Sequence, residues 1–250
     1  MEVVQNTSDS YLLYESYLQD GCEFYNRKTS LTISSLNGDN KYTRGNIDGT
    51  PRNILCRIEI KNVILHGQVS LCKDLAYRLA FRYDWTEIIC SQEKQNVSIL
   101  NKDELKGQME GMDRIIRGDY PQEINHRVWD YTDDHSPNSP LMQYRYFALL
   151  FPEYILLKGE RERLIRLSED VPYIFRERLL FWKQNPMNGE LTYQLVGTIM
   201  DDENTSLQEY QTQICLDVVT SKASKAKAQI ILINNKSVEE EWNFNLIPLK

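Results

Sequence analysis

A chain of 250 residues, 41% hydrophobic and 26% charged, can bury a substantial core and has the composition of an ordinary globular protein. Its formal net charge of -7 argues against nonspecific nucleic-acid binding, and no apolar run approaches the ~20 residues of a membrane-spanning helix. Five scattered cysteines, none in a Cys-x-x-Cys, indicate neither a zinc site nor a redox pair. With no signal-peptide pattern at residues 1–6, the chain is expected to be intracellular, with its thiols reduced.

Asp9 and Ser10 precede Tyr11-Leu12-Leu13-Tyr14 and Tyr17-Leu18. The spacing predicts a short capped helix with Tyr11, Tyr14 and Leu18 on one face, ended by Gly21. Residues 26–52 are polar, with Asn37-Gly38 and Asp48-Gly49 at tight turns, and read as an extended arm. From residue 53 the period becomes two: Ile54, Cys56, Ile58 and Ile60 alternate with Arg57, Glu59 and Lys61. A strand over 77–83 and apolar segments at 86–90 and 97–100 extend the sheet. A helix over 103–117 places Leu105, Met109, Met112 and Ile116 on one face, with Asn101 and Glu104 as a capping box and Gly118 as the stop.

Strands resume at 124–131 and 142–151. A hairpin about Asn188-Gly189 joins 179–183 to 191–199, and 213–219, 229–234 and 241–247 complete the chain. Residues 159–178 suit helix, strand or charged loop equally. The expected fold is mainly β, a β-sandwich or jelly-roll-like body over 53–250, preceded by an N-terminal helix and arm over 1–52 and carrying at least one further helix.

Catalytic signals are sparse. His66, His126 and His135 share no metal-ligand spacing, and no glycine-rich phosphate loop or Gly-x-Ser-x-Gly elbow occurs. Glu59-Ile60-Lys61, with Asp48 upstream, has the acidic-x-Lys form of PD-(D/E)xK nucleases, where a carboxylate holds Mg²⁺ and the lysine orients water. Any strand with alternating charges also produces it. The acidic groups around Asp130-Asp133-Asp134 and Asp201-Asp202-Glu203 lack a calcium-loop pattern and read as turns. The basic run over 222–227 reads as a solvated turn, offset by Glu239-Glu240-Glu241.

Fifteen tyrosines stand out against this background. Tyrosine offers a large, rigid, amphipathic contact surface, and it also ionises near pH ~10. Tyr11, Tyr14, Tyr17 and Leu18 on the leading segment are the expected assembly contacts. The expectation is therefore a non-enzymatic, self-assembling structural protein. The alternatives are a metal-dependent nuclease and a β-sandwich interaction module within a larger complex.

The stretch from Gly67 to Ile199 resembles the cypovirus polyhedrins. The resemblance is carried by Gly67-Gln68-Val69-Ser70, the helix over 103–117, Tyr120-Pro121-Gln122-Glu123-Ile124-Asn125-His126 with Trp129 and Tyr131, Leu149-Leu150-Phe151-Pro152, and Phe181-Trp182-Lys183 with Asn188-Gly189-Glu190 and Tyr193. The resemblance implies a jelly-roll-like trimer packed into a crystalline occlusion body in the cytoplasm of an infected cell. Virus particles would be embedded in that lattice, which would dissolve at alkaline pH. It implies no catalytic cofactor, no membrane and no specific nucleic acid. Nucleotides at subunit contacts are implied by the family alone and map onto no residue here.

Overall fold

Asp20 and Gly21 both adopt left-handed backbone, with φ of 47° and 74°, and form a two-residue hairpin turn. That turn joins β1 (Ser8–Gln19) to β2 (Cys22–Ser35). The N-terminal helix expected over Tyr11–Leu18 is thus a strand. The apolar run fits both periods because Leu12 is buried on the side of the strand opposite Tyr11 and Leu13. Residues 26–35 of the expected polar arm are strand as well, and the rest of it, with the turns expected at Asn37-Gly38 and Asp48-Gly49, lies outside the described residues. In β2, Leu31 and Ile33 point into the core while Ser30, Thr32 and Ser34 alternate outward.

The computed structural model describes residues 8–35, 53–67, 81, 84–91, 96–119, 145–150, 162–166, 173–187, 190–200, 205–216 and 223–249. The chain continues through β3 (Asn53–Gly67), β4 (Thr86–Ser91), β5 (Asn96–Ile99), helix α1 (Lys102–Asp119) and helix α2 (Arg145–Leu150). Then come β6 (Glu162–Arg166), β7 (Ile174–Gln184), β8 (Leu191–Met200), β9 (Ser206–Leu216), β10 (Ala223–Ile233) and β11 (Glu239–Leu249). The expected strands at 77–83 (except Phe81) and 124–131 lie outside the described residues. Among those described, no helix is long and apolar enough to cross a membrane.

All eleven strands join one sheet in the order β5-β4-β3-β2-β1-β11-β10-β9-β8-β7-β6, with antiparallel pairing throughout. The mainly-β expectation holds. The described strands form two meanders, β1–β5 and β6–β11, joined where β1 pairs with β11, and the Greek-key crossover of a jelly roll is not among their pairings. The first and last strands meet in mid-sheet, where Leu13 faces Leu246 and Tyr17 faces Trp242.

Alternation sorts each strand into an inner and an outer face. Inner side chains such as Leu13, Leu31, Ile58, Ile88, Phe175, Leu195, Ile230 and Phe244 are buried in one connected core. Residues 145–150, expected as strand, form α2. Its Ala148, Leu149 and Leu150 are buried on all sides, so the apolar run carries no period that separates helix from strand. The helix contacts β10 and β6, and the small inner residues of β10, Ala226 and Ala228, leave room on that strand.

The α1 helix matches expectation, with Leu105 fully buried. Its capping box does not form as expected. The Asn101 side chain instead ties the helix start to β4, its Oδ1 accepting from the Glu87 amide at 2.9 Å and its Nδ2 donating to the Trp85 carbonyl at 2.8 Å. The stretch 222–227, expected as a turn, contains the start of β10, so Lys225 and Lys227 are strand residues.

Candidate assembly face

The four expected contact residues divide between the two faces of β1. Tyr11 is 4% exposed and belongs to the core, whereas Tyr14 is 39% exposed on the outer face. Tyr17 points inward and stacks on Trp242, with ring centroids 4.2 Å apart and planes 23° apart; Phe24 meets it edge-on at 5.7 Å. Leu18 returns to the outer face, half-buried. The strand period separates residues that a helix would have grouped.

The register traces the outer face across β2, β1, β11, β10 and β9. One row runs Lys28, Tyr14, Asn245, Lys227, Gln213. Two residues along each strand, the next is Asn26, Ser16, Asn243, Gln229, Gln211. The third is Glu23, Leu18, Glu241, Ile231, Glu209. A basic row and an acidic row therefore flank a row with no charge.

Hydrogen bonds fix the acidic row. Asn26 Nδ2 donates to Glu23 at 2.7 Å, and Gln211 Nε2 donates to Glu209 at 2.7 Å. Glu241 accepts from Gln229 at 2.8 Å and from Asn243 at 2.9 Å. Amides of the neutral row thus orient all three carboxylates without neutralising them. In the basic row the Lys28 ammonium lies 5.5 Å from the Tyr14 ring centroid, a cation–π contact that leaves its charge in place. Among the described residues neither row has a counter-ion on this face.

The inner face handles charge differently. Arg163 Nε meets Glu177 Oε2 at 2.5 Å, with both side chains no more than 2% exposed. Tyr210 donates to the other carboxylate oxygen at 3.0 Å, and Arg163 Nη1 donates to the Ala148 carbonyl in the last turn of α2 at 3.0 Å. That carbonyl is one of those a helix cannot satisfy within itself.

Tyr210 reaches Glu177 by crossing β8 at Gly197, where a Cβ would come within 2.6 Å of the ring. Sequence reasoning missed this ladder. Gly197 inside a strand was the available signal, since such a glycine marks a close approach. A second inner pair, Glu15 with Arg27 at 2.5 Å, sits next to the Tyr17–Trp242 stack. Burial, then the Glu240 carboxylate and Tyr173, push the Tyr17 phenol up to about 12 against a lowering hydrogen bond from Gln19.

The remaining sequence candidates are dispersed. Glu59 and Lys61 form an ion pair with each other on the outer face of β3, while Asp48 lies outside the described residues. His66 is exposed at the end of β3; His126, His135 and both acidic clusters lie outside the described residues. Cys22 is exposed, and Cys56 and Cys215 are buried free thiols. No grouping of three or more potential metal ligands occurs among the described residues.

No protein-family model matches the chain, and no curated protein matches it. Among solved structures it is similar to lipovitellin, with a TM-score of 0.43 and 8% identity, too distant to carry an argument. The match covers 97% of this chain and spans about a quarter of the other, 25% of its length.

Proposed function

We propose that this chain is a structural, self-assembling protein without a catalytic role, and that its specific form is the matrix of a crystalline occlusion body. The observation that carries the reading is the outer face of β1. Ser8, Ser10, Leu12, Tyr14, Ser16 and Leu18 occupy it, and none is charged. A charge-free face costs little to dehydrate, and serines lose little side-chain freedom when covered. An exposed tyrosine supplies an anchor of the kind enriched at interfaces.

Exposed Ile247 and Leu249 on neighbouring β11 extend the apolar content of that face. Expression of the full chain alone in insect cells tests the proposal. Intracellular crystals or large ordered particles are expected, and Tyr14→Asp should reduce them. Soluble monomer at high expression would overturn it.

A further inference from the structure

We infer that the outer face of β2-β1-β11-β10-β9 binds a second copy of itself, face to face, about a two-fold axis lying along the Asn26–Gln211 row. The inference rests on the self-assembly reading and specifies its contact. The basic row lies two residues to one side of the neutral row, and the acidic row lies two residues to the other, or three on β2, where a bulge brings Glu23 opposite Leu18. Rotation about the neutral row inverts strand direction while keeping each strand opposite its own equivalent.

Each acidic row then meets the partner's basic row. Glu23 faces the second copy's Lys28, and Leu18 covers its Tyr14. The second copy's Lys227 falls between Glu241 and Glu209, which stand on the strands either side of β10. The amides and hydroxyls of the neutral row meet their own copies on the axis, where like charges would have repelled.

Two features make a second copy the fitting occupant. The complement of each charged row is present on the same face at the same distance, as an isologous contact requires. The charges of both rows also have no counter-ion among the described residues of one copy, although the acidic ones are already oriented by amide donors. From strand spacing and rise the patch covers about 500 Å² per copy, at the small end of specific interfaces. Association should therefore depend on concentration and weaken with salt.

The test is sedimentation equilibrium of the full-length chain at low ionic strength, with two charge-reversed variants. One is Lys28→Glu with Lys227→Glu; the other is Glu23→Lys with Glu241→Lys. Each alone should associate at least about tenfold more weakly than wild type, with unchanged thermal unfolding. Mixed together, they should regain association as a heterodimer, because each then presents the complement of the other. If either variant associates like wild type, or the mixture fails to recover while wild type assembles, this contact is wrong and the broader reading stands. A wild-type chain that stays monomeric at all concentrations would overturn both.

Discussion

Tyr11 and Tyr14 stand three residues apart on one strand and serve opposite faces of one sheet. The inner face places Tyr11 among Leu13, Leu31 and Leu246, and carries two direct ion pairs, Arg163–Glu177 and Glu15–Arg27. The outer face places Tyr14 between a lysine and an asparagine, and the two charged rows around it have no counter-ion beside them among the described residues. Buried charges must be compensated within the chain, because dehydration without a partner is severe. Exposed charges carry no such requirement, so their arrangement is free to address another molecule.

The largest expected effect comes from breaking the inner pairing. Glu177→Ala leaves Arg163 buried beside α2 without its carboxylate and should lower unfolding free energy by about 3–5 kcal/mol in urea titration. Removing an outer charge by Lys227→Ala should change stability by about 0.5 kcal/mol or less. Comparable losses would erase the distinction between the faces.

The two tyrosines give the next contrast. Tyr11→Ala should cost about 3 kcal/mol or more as a core truncation, and Tyr14→Ala about 0.5 kcal/mol or less, both read from denaturant midpoints. A helix presenting both on one face predicts similar losses. Gly197→Ala forces a methyl against the Tyr210 ring and should cost about 1–3 kcal/mol, relieved in part when combined with Tyr210→Leu.

A smaller effect is confined to alkaline pH. The folded Tyr17 value of about 12 lies above the ~10 of an unfolded tyrosine, so folding favours the neutral phenol. The contribution is complete below pH ~10 and is lost as pH rises toward about 12, since the unfolded chain releases this proton first. Tyr17→Phe should therefore lose less stability than wild type between pH 9 and 11.5. Parallel pH profiles would show that Tyr17 does not contribute.

Much of the C-terminal half was legible in the sequence. In β11, Trp242, Phe244 and Leu246 alternate with Asn243 and Asn245, which is how a half-buried strand must look. β1 was not legible, because buried Leu12 fills a position that alternation reserves for polar residues and creates a second, helical period. The Asp20-Gly21 hairpin signal between β1 and β2 contradicted that helix and is the local clue that decides the matter.

β6 was ambiguous for the opposite reason: inward-facing Arg163 breaks the apolar alternation and is explained only by Glu177 on the next strand. Tyr14 and Leu18 could be named from the sequence as candidates, but the charged rows around them depend on cross-strand register. Composition and periodicity do not contain that register.

The most direct measurement is cross-linking of full-length Ser16→Cys, in a Cys22→Ser background, with a short bismaleimide and peptide mass spectrometry. Ser16 lies on the proposed two-fold row, so a 16-to-16 linkage between two copies should dominate at concentrations where the protein is oligomeric. Efficient single-ended labelling of that cysteine in the oligomer, with no 16-to-16 product, would contradict the account.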